Sequence, residues 1–302
     1  MRTGIMIGSD RLPRTVDDII RLVSAAEDAG LDSAWMANIF GLDAIMSMTL
    51  AARATKKIKV GTAVTPTYPR HPAAMAQQAV TAAAATDNRF ILGIGLSHQR
   101  TIEGVYALSY DKPAKHMREY LEILMPLIRQ QTINYEGSQY TTRGIQLVAP
   151  GAEDVPVVVA ALGPVMLRLA GQFADGTNTW MVGPKTMETH IAKTINTAAQ
   201  DAGKPAPMIV GNFPVMVTNN PDAARNKLTE MLEIYGQLPS YRAMLDKEGY
   251  ATPVDAALIG DEDTLRQRIS EIEASGVTDF GAAIYDLEDG AFDRTLAFLA
   301  TI

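Results

Sequence analysis

The chain has no cysteine, which excludes disulfides, thiolate metal sites and cysteine nucleophiles. Positive charge is in short supply: 27 Lys and Arg stand against 34 Asp and Glu, a formal net charge of −7. That balance argues against nucleic acid as a partner, which would call for a basic face. No long apolar run is present. The longest, about residues 155–167, is broken by Pro156, Gly163 and Pro164, and is too short to cross a bilayer. The opening MRTGIMIGSDRLPR lacks the apolar core and small-residue cleavage site of a secretory signal, so a soluble cytoplasmic protein with no membrane partner is expected. The four histidines, His71, His98, His116 and His190, share no ligand-type spacing, and no metal site is expected. A GxxxxGK[ST] phosphate loop is missing, as is a G-x-S-x-G nucleophile elbow.

What is present is an alternation. Short apolar or β-branched runs at 4–8, 32–37, 58–64, 90–95, 155–161, 176–181, 208–217 and 278–285 suit strands buried on both faces of a parallel sheet. Segments with helical spacing lie between them. Eight such strands favour a closed (β/α)8 TIM barrel over an open doubly wound sheet, with the whole of 1–302 as one domain. Two long excursions interrupt the repeat. One follows strand four, from His98 to Asp154, with a helix near 113–130 and a hairpin around Tyr135–Tyr140. The other, YGQLPSYRAMLDKEGYATP at 235–253, lies between strands seven and eight. Excursions at the site end of a barrel serve as lids or subunit contacts. The junctions EDAGLDSA, QFADGTNT and EASGVTDF each read as helix end, glycine and next strand, with Gly30, Gly176 and Gly276 marking the structural end of the sheet. The opposite, carboxyl ends carry the site in such folds.

At those ends stand several candidates. ILGIGLSHQR at 91–100 contains a GxG, but His98 occupies the third glycine position of a dinucleotide fingerprint, so the glycines are read as a close approach at a strand end. His98, in a polar SHQR cluster, is either a satisfied structural residue or a site residue able to titrate near neutral pH. Both tryptophans, Trp35 and Trp180, fall at strand ends; either they fill the core, or with Met36, Met181 and Leu96 they form an apolar mouth for a flat ring. Arg70 and His71 open a helix and either bind an anion or cap it. Gly163-Pro164, in AALGPVMLRLAG, leaves free N–H groups at a helix start, a candidate phosphate cradle.

The segments AWMANIFGLDA, VGTAVTPTYPRHPAAMAQQA, RFILGIGLSHQ, VPVVVAALGPVMLRLAGQFADGTNTWMVGP and IYGQLPSYRAMLD together resemble the luciferase-like oxidoreductases, in particular their actinobacterial branch using the deazaflavin coenzyme F420. The resemblance runs along essentially the whole chain. It implies a homodimeric TIM barrel binding the coenzyme at its carboxyl mouth, over a bulge with a non-prolyl cis peptide at Ala63–Val64, followed by Thr65. It also implies coenzyme contacts at Asn38, at Gly95, Leu96, Ser97 and His98, and a phosphate cradle at Leu162, Gly163, Pro164 and Val165. Trp180 and Met181, with Trp35, would face the substrate. The sugar-phosphate dehydrogenase branch has a histidine and a glutamate where Ile39 and His98 stand, so oxidation of glucose 6-phosphate is not expected. The implied chemistry is hydride transfer between F420 and an apolar small molecule, reducing an activated C=C or C=N bond, with His98 as proton donor or as a residue orienting the coenzyme. An FMN-dependent monooxygenase and a non-catalytic ligand-binding barrel are the alternatives.

Overall fold

A computed structural model describes residues 1–10, 12 and 14–302. Eight parallel strands close into a barrel: β1 (Arg2–Ile7), β2 (Ser33–Met36), β3 (Lys59–Thr62), β4 (Phe90–Gly95), β5 (Val157–Ala160), β6 (Gly176–Trp180), β7 (Met208–Val217) and β8 (Asp279–Ile284). Each pairs with its neighbours in chain order, and β8 closes on β1 with Phe280 opposite Thr3. The eight apolar runs are the eight strands. The first excursion holds the helix Pro113–Ile128 and an antiparallel hairpin of Ile133–Glu136 with Thr141–Ile145. The second holds the end of the helix Pro221–Gly236 and the helix Pro239–Glu248; beyond it a short strand, Leu258–Gly260, pairs with the far end of β7 before the helix Glu262–Ala274.

Local sequence explains where the helices begin and end. Thr15 and Asp18 form a reciprocal capping box on the helix Val16–Asp28, and Asp43 caps Ala44–Ala54 by accepting from Met46 N–H at 2.9 Å. Gly30 and Gly276 take left-handed φ values of 83° and 95°, as helix-ending glycines do. Gly176 differs. It is the first residue of β6, and a side chain there would run into Met208 of β7. That glycine answers to a close strand–strand approach and ends no helix.

Along each strand the side chains alternate between two cores, as the two-residue strand period requires. Ile5, Ile7, Ala34, Met36, Leu92, Ile94, Val157 and Val159 pack outward against the helices. Met6, Trp35, Ile91, Val158, Trp180 and Val210 form a second cluster inside the barrel. Trp35 is fully buried there, its Nε1 donating to Ser33 Oγ at 3.0 Å. The ring fits because β3 offers Gly61: a Cβ at that position would lie 2.5 Å from the indole. At the amino ends of the strands, Arg2 clamps the buried Asp279 through two hydrogen bonds of 2.6 and 2.7 Å. This end is built for stability, and the carboxyl end is open.

Candidate active site

The open end begins with a bulge. After β3 the chain turns through a cis Ala63–Val64 peptide and resumes pairing with β4 at Thr65 and Pro66. The GxG of β4 makes room for this turn. Thr62 Oγ1 accepts from Gly93 N–H at 2.9 Å and donates to Gly93 C=O at 2.6 Å. Any Cβ on Gly93 would collide with the Thr62 carbonyl, and one on Gly95 would lie 2.6 Å from Val64 Cγ2 and 3.1 Å from Ala160 Cβ. The glycines do mark a close approach, but what approaches is the neighbouring strand.

Above the bulge lies a cavity of about 1090 Å³, of the size that holds cofactor-sized ligands. Its walls come from the loop after β1 (Gly8, Ser9, Leu12, Arg14), the loop after β2 (Ala37 to Leu42) and the bulge itself (Ala63, Val64, Pro66). The segment after β4 adds Ser97, His98, Arg100 and Tyr106; β6 adds Trp180; and the second excursion adds Ile234, Tyr235, Leu238 and Tyr241. Aromatic rings form one continuous wall. His98 lies 6.1 Å from Tyr241, Tyr241 5.1 Å from Tyr235, and Tyr235 6.2 Å from Trp180, centroid to centroid. The lining includes no Asp, Glu or Lys among the described residues.

Two residues at this mouth are held in left-handed backbone. Ser97 and Met181, following β4 and β6, hold φ values of 59° and 56°, a region side-chain-bearing residues rarely occupy. Ser97 is pinned through its carbonyl, which accepts from Tyr110 OH at 3.3 Å, and Met181 through its N–H, which donates to Asn212 C=O at 3.0 Å. His98 follows as the N-cap residue of the helix Gln99–Gly104 but makes no capping bond with its ring. Burial pushes its imidazole below the ordinary histidine range. At neutral pH it is therefore uncharged, with one N–H and one lone pair.

Of the expected site residues, the structure brings Asn38, Ala63, Val64, Ser97, His98 and Trp180 together around the cavity. Asn38 Oδ1 is already committed, accepting from Ala44 N–H at 3.0 Å, which leaves its amide NH2 for a ligand. Trp180 Nε1 is buried without a partner among the described residues. Other residues stand elsewhere. Trp35 lies inside the barrel and does not line the cavity. Gly95 and Thr65 are fully enclosed in the β3–β4 junction, Leu96 packs toward the helix layer, and Met181 is buried in the same cluster as Trp180 without lining the cavity. Leu162, Gly163, Pro164 and Val165 lie outside the cavity lining, at the start of the helix Pro164–Phe173; space around Gly163 is open, and Leu162 C=O is held by His190 Nε2 at 2.8 Å. Arg70 pairs with Asp43 at 2.7 Å and His71 Nδ1 accepts from Ala73 N–H at 3.2 Å, so these two serve the helix. Among the described residues no group of three potential ligands could hold a metal ion, and no helix is long and apolar enough to cross a membrane.

Sequence reasoning missed the β1 loop and Arg100. Nothing in GSDRLPR distinguishes it from an ordinary turn, and Arg100 reads as one more surface cation. The tyrosines of 235–253 were partly legible: Tyr235 and Tyr241 line the cavity, whereas Tyr250 faces a separate small crevice beside Arg268.

A parallel barrel with a deep, aromatic-walled cavity over a β3 bulge defines a ligand-binding (β/α)8 protein of the enzyme type. Residues 1–279 match the luciferase-like monooxygenase family, and the chain belongs to that family. It is 33% identical over 209 residues to a 5,10-methylenetetrahydromethanopterin reductase of Archaeoglobus fulgidus, covering 68% of this chain and 61% of that one. It is 30% identical over 202 residues to an F420-dependent glucose-6-phosphate dehydrogenase of Rhodococcus erythropolis, covering 62% and 59%. The matched stretch thus spans about three fifths of each relative's length. An F420-dependent secondary alcohol dehydrogenase, solved with an F420-acetone adduct, superposes with a TM-score of 0.84 at 18% identity, covering 100% and 97%. At that identity the likeness is one of fold.

Proposed function

We propose that the chain, acting as one barrel domain over 1–302, is an F420-dependent oxidoreductase that transfers a hydride between the deazaflavin and an apolar small molecule. The favoured direction is reduction of an activated C=C or C=N bond. The observation that carries this reading is the largely apolar, aromatic-lined cavity over the Ala63–Val64 bulge, in a chain similar to an enzyme named as an F420-dependent glucose-6-phosphate dehydrogenase.

The residues present fit such a coenzyme. The amide NH2 of Asn38, on the cavity wall, offers a donor to a heteroatom-rich ring, and the Trp180 indole adds an apolar face. The open N-terminus at Gly163-Pro164 suits a phosphate. When bound, the coenzyme supplies the carbon that exchanges hydride. The chain supplies position and dryness. Val64 sets the floor on which a ring would rest, the aromatic wall from His98 to Trp180 keeps water from the opposite side, and His98 either delivers the proton that completes the reduction or orients the coenzyme through its N–H. Ile39 stands where the sugar-phosphate branch has a histidine, so glucose 6-phosphate is not the substrate proposed. The same reading takes the protein as a cytoplasmic homodimer without nucleic-acid or membrane partners.

The test is oxidation of reduced F420 followed by absorbance, with and without apolar enones and imines, under nitrogen. Substrate-dependent oxidation is expected. Turnover that needs dissolved oxygen and FMN would assign the chain to monooxygenation, and no turnover with any acceptor would leave a binding protein.

A further inference from the structure

The composition of the cavity wall limits what can occupy the space beside the coenzyme. In a chain with a net charge of −7, no described residue lining the cavity is acidic. The strongest donors on its lining are the Arg100 guanidinium and the Tyr241 hydroxyl. Arg100 forms no ion pair with any described residue, and Tyr241 makes ring contacts, its hydroxyl bonding to no described residue. Burial raises the Tyr241 phenol well above its ordinary value, so its proton stays on. His98 sits next to that hydroxyl-bearing ring at 6.1 Å between centroids and is itself neutral. A cationic or amine-bearing molecule would meet no counter-charge here.

We propose that the substrate is an apolar molecule bearing a conjugated oxygen acceptor, a carbonyl or its enolate-like anion, and that Tyr241 is the side chain that holds this oxygen. The proposal rests on the oxidoreductase reading and narrows it to the carbonyl-activated C=C class. Tyr241 is set for the task by its helix. Pro239–Glu248 is tethered at its end by Glu248, which accepts from Lys185 N–H at 3.1 Å and Thr186 N–H at 2.6 Å. Arg242 reaches the carbonyls of Ala251 and Tyr250 at 2.9 and 2.7 Å. The Tyr241 ring is thereby fixed against His98 and Tyr235.

A stable mimic of the acceptor tests this directly. Binding of 4-nitrophenolate and of 4-nitroanisole, which has the same ring without the anionic oxygen, is measured by the visible band and by calorimetry, with and without saturating F420. Wild-type protein is expected to prefer the phenolate at least tenfold. Y241F, which removes one oxygen and keeps the ring, is expected to weaken phenolate binding by about tenfold and leave 4-nitroanisole unchanged, as loss of one hydrogen bond to a charged acceptor implies. Equal binding of the two probes by wild type, or an undiminished preference in Y241F, overturns the proposal; the second result would place the anion on Arg100. F420 binding is scored separately by fluorescence quenching. Its failure would strike the oxidoreductase reading, whereas F420 binding without a phenolate preference would strike this inference alone.

Discussion

His98 bears most of the chemistry available to single side chains at this site, and burial decides which chemistry that is. A histidine with an ordinary value would be partly charged near neutrality. Here desolvation disfavours the charged form and pushes the imidazole below its ordinary value, so the neutral form is favoured. A step that depends on neutral His98 should run at constant rate through neutral pH and decline only on the acid side, below the ordinary histidine range. A rate that instead falls as pH rises through neutrality would show that the imidazolium is the working form. His98→Ala should lower turnover by about 10²-fold, the scale of one general acid–base group, and change F420 affinity little. The reverse pattern in kcat and coenzyme Kd would assign the residue to binding. His98 was legible in the sequence because it broke a glycine motif directly after an apolar run. Trp35 was misplaced for an equally local reason. A tryptophan near a strand end faces the mouth or the barrel interior depending on its phase in the two-residue alternation, and here Gly61 opposite gives the interior room for it.

One tethered element shapes the mouth, and another ties down the first excursion. The β3 bulge and β4 form one unit, since Gly93 and Gly95 leave space that Thr62 and Val64 fill. Gly95→Ala must displace Val64 or Ala160, and overpacking of this kind costs about 1–3 kcal/mol. Its signature should be a lower Tm together with weakened coenzyme binding; a variant with normal Tm and normal binding would contradict this coupling. The hairpin of the first excursion hangs on Glu119. This carboxylate is 4% exposed and accepts from Gln139 N–H at 2.7 Å, Ser138 N–H at 3.1 Å, Ser138 Oγ at 3.0 Å and Tyr140 N–H at 3.2 Å. Burial alone would raise its pKa, but the donors outweigh burial and hold it below the usual carboxylate range. A depressed folded value means the stabilisation is complete above the unfolded carboxylate value and is lost as pH falls through the folded one. Glu119→Gln should therefore destabilise the protein at neutral pH and flatten the acid limb of its stability curve, as thermal melts across pH would read. Excursion boundaries were readable from composition, but which carboxylate ties a hairpin down depends on side chains some twenty positions apart meeting in space.

At the scale of the whole molecule the barrel separates duties between its ends. The amino end carries the Arg2–Asp279 clamp and the carboxyl end carries left-handed backbone and open volume. Between them sits the Trp35 layer, the floor that keeps the cavity from running through the barrel. Trp35→Ala should cost about 3–5 kcal/mol in urea unfolding, in line with large-to-small changes in a core, and a loss under 1 kcal/mol would contradict its role as a packed floor. Closure of eight strands was evident in the sequence because each run is apolar on both faces. The relation of the Gly163-Pro164 helix start to the cavity was not, since a strand's place around the ring fixes neither the tilt nor the length of the loop above it. The central claim is that this mouth receives a deazaflavin. The most direct measurement is an equilibrium titration of purified protein with F420 and, separately, with FMN, followed by quenching of coenzyme fluorescence. Saturable F420 binding in the micromolar range or tighter, at least tenfold stronger than FMN, is the result expected. Tighter binding of FMN, or no saturable binding of either, would contradict it.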